Sequence, residues 1–212
     1  ADLFADFRLT DRGEFIFGDR SLALIARDVG SRRGGVVVTP VSSSQCLEDV
    51  VRAAGGTVRF TKVGAPVVAR AMYDLGATFG GEENGGIIFP EHQFCRDGAM
   101  ALAKMLEVLA RANRPLSALL SELPSYSLHK TSVHFPPEER DAILARLRTL
   151  AAGRRIDDTD GVKVYADDGW FLVRPSGTEA IFRIFAEAKT EERAKALAAE
   201  GGSLLRAAMA RD

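Results

Sequence analysis

The sequence predicts an α/β fold in two parts: a layered, mixed or mostly parallel α/β domain, followed by a small α+β domain with an antiparallel sheet and two helices on one face. Strand-like apolar runs alternate with helical stripes up to residue 123, which is typical of layered α/β domains. Beyond this point the predicted order becomes β-α-β-β-β-α. Pro124 and Ser125 separate the two patterns, so we place the domains at residues 1–123 and 124–212.

The composition is ordinary for a globular protein and limits the classes of function. The 212 residues are 46% apolar and 27% charged, with a formal net charge of −1. This charge provides no basic field that would attract nucleic acid or a membrane surface. No apolar run approaches the ~20 residues of a membrane span, and the N-terminus lacks the pattern of a signal peptide. We therefore expect a cytoplasmic protein without nucleic-acid or membrane partners.

The cysteines and the start of the chain support two further expectations. Cys46 and Cys95 lie far apart and form no metal-type spacing, so we expect buried or idle thiols in a reducing compartment. The chain starts with Ala1 rather than with methionine. We interpret this start as a cut or processed end and expect that the chain is a fragment.

The first domain is predicted to alternate strands and helices from its start. Residues 14–17 predict a short strand, Gly18 opens a helix, and the apolar run at residues 35–39 predicts a buried strand. The serines at residues 42–44 precede the next helix, where a serine is most simply an N-cap. A nucleophilic serine is the alternative, but no histidine lies nearby in the sequence. Residues 57–60 predict the next strand.

Two loops of this domain are candidate binding sites. Residues 61–64 connect a strand to a helix, a position where α/β sheets bind ligands, and Lys62 would place a cation there. Residues 80–86 combine four glycines with two carboxylates and an amide, which suit vicinal hydroxyl groups of a sugar. The alternatives are a solvated lysine and a hairpin turn with solvated acids. Asp97 is predicted to cap the following helix.

The second domain is predicted to contain a small antiparallel sheet. Residues 126–135 predict a strand that carries His129 and His134, both interpreted as structural or exposed because neither has a partner at ligand spacing. A helix is predicted to begin at Pro136 and another at residue 190. The remaining predicted strands are residues 161–165, 170–173 and 181–186.

A bend at residues 174–180, RPSGTEA in one-letter code, has the components of an anion site. It joins two predicted strands. The guanidinium of Arg174 suits a phosphate, Ser176 and Thr178 supply hydroxyl donors, and the flexible backbone at Gly177 suits a nest of N–H groups. The alternative is a hairpin turn with one surface arginine, because short turn motifs are weakly specific.

These stretches together resemble the carboxyl-terminal half, domains three and four, of the α-D-phosphohexomutases of the phosphomannomutase, phosphoglucomutase and phosphoglucosamine mutase group, particularly archaeal-type members. The resemblance rests on residues 61–64 (TKVG), 81–85 (GEENG) and 174–179 (RPSGTE), with DGVK at 160–163 between the last two. Each motif is weak alone, but their common order over nearly the whole chain is specific.

The resemblance implies roles for individual residues. Glu82 and Asn84 would hold sugar hydroxyls; many relatives carry serine where Asn84 stands. Lys62 and Arg8 would lie in the central cleft that the four domains of a family member surround. The residues implied to hold the non-reacting phosphate are Arg174, Ser176, Gly177, Thr178 and, in support, Arg183. In the family, a phosphoserine donates its phosphoryl group to a hexose phosphate, and the resulting 1,6-bisphosphate returns its other phosphate to the serine. A Mg²⁺ ion held by three aspartates assists these transfers.

The chain departs from the family in its catalytic parts. No serine followed by His-Asn-Pro occurs in it. With Arg8 aligned to the metal loop, Leu3, Ala5 and Phe7 stand where the family has aspartates, and such side chains cannot bind a hard cation. We therefore assign no catalytic residue and no metal ligand to the chain, and expect that it binds no Mg²⁺ itself.

The leading hypothesis is a sugar-phosphate-binding half of a phosphohexomutase that is inactive alone. One alternative is a split mutase that works with a separate amino-terminal half. The other is a non-enzymatic scaffold or engineered fragment, which would bind no ligand.

Overall fold

The computed structural model describes residues 9–33 and 35–210, without the side chains of residues 30–33. Its contacts divide the chain into a first unit, residues 1–125, and a second unit, residues 126–212. In the described part of the chain, each unit contains one five-stranded sheet. The α/β fold class predicted from the sequence is confirmed.

The first unit contains five helices and five strands within the described residues. The helices are α1 (Gly18–Arg33), α2 (Gln45–Ala53), α3 (Ala65–Leu75), α4 (Gly98–Ala112) and α5 (Leu116–Ser121). The strands are β1 (Val36–Pro40), β2 (Thr57–Thr61), β3 (Phe79–Gly81), β4 (Ile87–Phe89) and β5 (Gln93–Arg96). The strand order is β2-β1-β3-β4-β5, in which β1 pairs in parallel with β2 and β3 whereas β4 and β5 add antiparallel pairs. The sheet is therefore mixed.

Helices cover both faces of this sheet, as two neighbouring residues of β3 show. Neighbouring residues of a strand point to opposite faces of the sheet. A Cβ atom on Gly80 would lie 2.5 Å from the Met72 sulfur of α3. A Cβ atom on Gly81 would lie 2.8 Å from Cδ1 of Leu22 in α1. The two glycines thus allow α3 and α1 to approach β3 from opposite sides, which produces the layered arrangement.

Helix capping in the first unit follows the sequence. The Ser44 side chain accepts a hydrogen bond from the Cys46 amide at the start of α2, and the Asp97 side chain accepts one from the Met100 amide at the start of α4. Both predicted caps are confirmed. At the start of α5 the N-cap is Pro115, which makes no side-chain cap hydrogen bond. There the carboxylate of Asp11, distant in the sequence, accepts from the Ser117 amide at 2.8 Å.

The strand predicted at residues 14–17 is wrong. Only one isolated bridge forms there, between Leu9 and Phe15, and α1 begins immediately afterwards at Gly18. The reason is a tight local turn, in which the Thr10 hydroxyl accepts from the Arg12 amide and Gly13 adopts a φ of 76°. A turn of this kind leaves no room for a paired strand of useful length.

Over residues 126–210, the second unit contains five strands, two helices and a short 3₁₀ turn at residues 137–139. The strands are β6 (Ser127–His134), β7 (Ile156–Asp157), β8 (Val162–Ala166), β9 (Gly169–Pro175) and β10 (Ile181–Ala188), and the helices are α6 (Arg140–Leu150) and α7 (Glu191–Met209). The sheet order is β6-β10-β9-β8-β7, with every pair antiparallel. The helix predicted from Pro136 begins at Arg140, because the 3₁₀ turn precedes it.

Both helices of this unit pack on one face of its sheet. Ile143 of α6 and Leu197 of α7 are fully buried in one cluster with Phe171, Val173 and other strand residues. Helix α7 continues through Gly201, although glycine weakens a helix by about 1 kcal/mol. A Cβ atom at Gly201 would lie 2.9 Å from Cδ2 of Phe171, so glycine permits the close approach of the helix to the sheet.

Candidate functional site

Three loops of the first unit follow the parallel strands of its sheet. Residues 41–44 follow β1, residues 62–64 follow β2, and residues 82–86 follow β3. Because parallel strands end at the same edge of a sheet, the order β2-β1-β3 brings the three loops together. The two loops predicted from the sequence are therefore neighbours.

Glu82 lies at the centre of this edge and is 4% exposed. Its carboxylate lies 3.3 Å from Nη1 of Arg96 and accepts a hydrogen bond from the Gly64 amide of the neighbouring loop. Burial raises the pKa of Glu82, and the Arg96 cation and the Gly64 amide oppose this shift only in part. The side chain is thus a buried, oriented acceptor that could take a hydrogen bond from a hydroxyl group.

The raised pKa of Glu82 predicts a pH dependence of the free energy of unfolding. A group whose pKa is raised by folding contributes stability at low pH and loses that contribution as the pH rises, from the ordinary value of about 4.3 through the higher value in the folded state. Glu82→Gln removes this titration. We therefore expect the wild type to lose stability relative to the variant as the pH rises above about 4, measured from amide signals of the first unit during thermal unfolding. A difference that does not change with pH would contradict the shift.

Residues 82–86 form a tight hairpin between β3 and β4. The Glu82 amide donates to the Gly86 carbonyl at 2.9 Å, and the exposed Asn84 accepts through Oδ1 from the Gly86 amide at 3.0 Å. Gly85 adopts a φ of 96°, which suits glycine. Residues 82–86 thus form the hairpin turn that was the alternative to a sugar-binding loop. The hydrogen bonds of Asn84 to a sugar stay a prediction.

Close packing explains two of the glycines near this hairpin. A Cβ atom on Gly18, at the start of α1, would lie 2.3 Å from the Gly85 nitrogen. One on Gly86 would lie 2.3 Å from Cδ of Arg96, the partner of Glu82. These glycines thus allow the start of α1 and the side chain of Arg96 to pack closely against the hairpin.

The three serines after β1 are buried and each has a partner. Ser44 caps α2, Ser43 shares a hydrogen bond of 2.5 Å with Thr39, and Ser42 donates to Glu83 at 3.2 Å. The capping interpretation is thus confirmed for Ser44. Sequence reasoning missed the contact between Ser42 and Glu83, because 41 residues separate them and no short pattern signals it.

Of the two residues predicted for the cleft, only Lys62 lies within the described part of the chain. Lys62 is exposed, and its side chain has no hydrogen bond or ion pair with the rest of the described chain. Arg8 lies outside the described residues, as do Leu3, Ala5 and Phe7, which stand in place of the metal loop.

The bend predicted to bind an anion joins β9 to β10 in the second unit. The Ser176 amide donates to the Ile181 carbonyl at 2.8 Å and closes the bend. The Ser176 hydroxyl lies 3.5 Å from the Thr178 hydroxyl and 3.4 Å from the Thr178 amide. Arg174 and Ser176 are buried, whereas Gly177 and Thr178 are exposed. The bend thus presents hydroxyl and amide donors at the surface beside a buried cation.

The two arginines of this region lie opposite each other on neighbouring strands. Arg174 of β9 and Arg183 of β10 are register partners, so both side chains lie on one face of the sheet. Arg174 donates through Nε to Asp160 at 2.8 Å, and Arg183 donates to Glu179 at 2.6 Å. The carboxylates offset the repulsion between two like charges placed across a strand pair.

These arginines lie on the sheet face opposite the helices. Phe171 and Val173 point into the helix-covered cluster, so the alternating residues of β9 point to the other face. On that face Lys163, 3% exposed, lies 3.8 Å from the ring centre of Trp170, and the Trp170 indole donates to Glu187 at 3.0 Å. This buried polar layer links β8, β9 and β10 towards the end of β9 that is remote from the bend.

The predicted site residues thus form two groups. Glu82 and Asn84, with Lys62 on the adjacent loop, belong to the first unit, and Arg174 with the bend belongs to the second. Within the described ranges there is no cluster of three or more side chains suited to a metal ion. None of the helices in the same ranges has the length and apolar character needed to cross a membrane.

Family models match both units. The model for the phosphoglucomutase/phosphomannomutase alpha/beta/alpha domain III matches residues 17–126, and that for the C-terminal domain of the same family matches residues 134–201. Together the two matches cover most of the 212 residues.

Curated relatives agree with the family models. The chain is 46% identical to a phosphoglucomutase/phosphomannomutase of Thermococcus kodakarensis over 95% of its own length and 44% of the relative. It is 43% identical to a probable phosphoglucosamine mutase of Methanopyrus kandleri over 93% of its length and 44% of that protein. The chain thus spans less than half the length of these relatives.

Two solved structures have a similar fold. A phosphoglucomutase/phosphomannomutase family protein of Burkholderia thailandensis matches with a TM-score of 0.82 and 29% identity, over 94% of this chain and 43% of that one. The N-acetylphosphoglucosamine mutase of Aspergillus fumigatus, in complex with GlcNAc-6P and magnesium, shares the fold with a TM-score of 0.65 and 18% identity, over 93% of this chain and 45% of that one. With both family models matched in order, the chain belongs to the phosphoglucomutase/phosphomannomutase family and corresponds to the carboxyl-terminal half of its relatives.

Proposed function

We propose that this chain is the hexose-phosphate-binding half of a phosphohexomutase. In this proposal Arg174, Ser176, Gly177 and Thr178 hold the phosphate that does not react, with support from Arg183. Glu82 and Asn84 accept and donate hydrogen bonds to sugar hydroxyls, and Lys62 contributes a cation to the cleft of the complete enzyme. The substrate class is a hexose 1- or 6-phosphate, in line with the names of the curated relatives.

The observation that carries the proposal is the buried Arg174 beside the donors of an exposed bend. Its side chain is 10% exposed and is held by one carboxylate, so its guanidinium is oriented before an anion arrives. A phosphate at the bend would receive charged hydrogen bonds from Arg174 and neutral ones from the Ser176 and Thr178 hydroxyls. A surface arginine of a simple hairpin would be neither buried nor oriented.

The chemistry of phosphate transfer is proposed to need further residues of the complete enzyme. The 212 residues contain no Ser-His-Asn-Pro sequence that could carry the phosphate. Mg²⁺ belongs to the expected chemistry of the family, and a magnesium ion is named for the Aspergillus fumigatus neighbour. The described residues of this chain offer no matching donor set. We propose that the chain binds substrate but transfers no phosphate by itself.

The partner in this proposal is the amino-terminal half of a mutase, either on the same polypeptide or on a separate chain. The coverage of 44% of the relatives supports a missing half of this kind. Location in the cytoplasm stays a prediction from the sequence.

Calorimetric titration tests the binding proposal. We expect glucose 6-phosphate to bind and unphosphorylated glucose to give no measurable heat, because most of the binding energy comes from the phosphate. Affinity should fall as salt is added, since the exposed part of the site is screened. Equal affinities for the two sugars, or no binding of either, would overturn the proposal.

A further inference from the structure

Asp160 contacts the most important residue of the proposed site without belonging to the bend. We propose that it is a positioning residue, which holds the guanidinium of Arg174 in the orientation needed to bind a phosphate. This inference rests on the proposed function, because it concerns how the same site is prepared for its ligand.

The contact leaves the phosphate-binding part of Arg174 available. Asp160 Oδ2 accepts from Nε of Arg174 at 2.8 Å, and the two side chains are 15% and 10% exposed. Within residues 9–33 and 35–210 this is the one hydrogen bond that the guanidinium makes with the protein. Both terminal nitrogens therefore remain for an anion, and these nitrogens bind phosphate through two parallel hydrogen bonds.

The backbone around Asp160 places its carboxylate with little freedom. The turn after β7 is closed by a hydrogen bond of 2.8 Å from the Thr159 amide to the Asp157 side chain. The next residue, Gly161, has a φ of 83°, and a Cβ atom there would lie 2.7 Å from Cα of Arg174. Asp160 is thus carried by a segment that lies directly against the backbone of the arginine it binds.

Electrostatics alone and positioning predict opposite results for the removal of Asp160. A carboxylate near a phosphate repels it, so simple Coulomb interaction predicts tighter anion binding when Asp160 is lost. Positioning predicts weaker binding, because the freed guanidinium gains rotamer freedom that binding must remove. It can also turn away from Arg183, its like-charged register partner, and from the bend. The sign of the change therefore distinguishes the two roles.

The test compares Asp160→Ala with Asp158→Ala. Asp158 is exposed and lies two residues earlier, so its replacement removes the same charge without touching Arg174. Titration of each protein with glucose 6-phosphate should show about tenfold weaker binding for Asp160→Ala and a change of less than about twofold for Asp158→Ala. Wild-type or tighter affinity of a folded Asp160→Ala would overturn the inference.

A second set of variants separates positioning from loss of structure. In an Arg174→Lys background, which lacks the guanidinium, Asp160→Ala should change affinity less than about twofold, because the two effects are coupled. A general structural defect would instead lower affinity in both backgrounds. If Asp160→Ala fails to fold, Asp160→Asn replaces it in the test. The neutral amide of asparagine is a weaker acceptor than a carboxylate, so we expect reduced affinity for glucose 6-phosphate. Unchanged affinity would contradict the positioning role. Absence of binding by the wild type would count against the proposed function and not against this arrangement.

Discussion

Replacement of Arg174 by alanine is expected to weaken the binding of glucose 6-phosphate by about 100-fold or more. A hydrogen bond to a charged group contributes about 1.5–3 kcal/mol, and each 1.4 kcal/mol is tenfold in affinity. The loss of two such bonds exceeds about 3 kcal/mol. Calorimetry at low salt should therefore show almost no heat with the variant under conditions in which the wild type saturates.

Two other arginines of the same unit serve as controls for this result. Arg193 forms its ion pair with Asp168 and plays no part in the proposed site, so Arg193→Ala should bind as the wild type does. Arg183, 42% exposed at its side chain and paired with Glu179, should give a smaller loss than Arg174. Affinity of a folded Arg174→Ala within about twofold of the wild type would remove the assigned role.

Gly161→Ala is expected to destabilise the second unit by about 2–5 kcal/mol. A φ of 83° strains any residue with a side chain, and the added Cβ would lie 2.3 Å from the Val173 carbonyl oxygen. The two nearest neighbours are backbone atoms of β9, so they cannot move aside without breaking the sheet. The chain has a single tryptophan, the buried Trp170 of β9, and its fluorescence during urea unfolding reports on this unit.

Gly177→Ala is the matched control for this prediction. Nothing lies within 4 Å of a Cβ atom at Gly177, and its φ is not in the left-handed region. Its unfolding free energy should therefore stay within about 0.5 kcal/mol of the wild type. Equal stabilities of Gly161→Ala and Gly177→Ala would contradict the packing described around Arg174.

Local chemistry explains why much of the fold could be predicted from the sequence. Gly18 opens α1, Ser44 and Asp97 cap their helices, and the apolar run after Gly35 forms a buried strand, as predicted. Each of these features depends on residues close together in the chain. The same holds for the bend at residues 174–180, which Pro and Gly force between two apolar strands.

The features that the sequence did not reveal depend on tertiary contacts or on weak strand patterns. Strand β5 was missed because three of its four residues are exposed, so it lacks the alternation of a half-buried strand. Strand β7 has only two residues. The contacts of Glu82 with Arg96 and of Arg174 with Asp160 each join residues 14 positions apart. No short motif encodes such pairs, although they orient the predicted site residues.

The proposed function depends on the bend after β9, which we propose binds the phosphate of a hexose phosphate. The most direct measurement is a crystal structure of this chain soaked with glucose 6-phosphate. We expect the phosphate within hydrogen-bond distance of the Arg174 terminal nitrogens and of the Ser176 hydroxyl. A phosphate bound elsewhere in a saturated crystal, with the bend unchanged and empty, would contradict it.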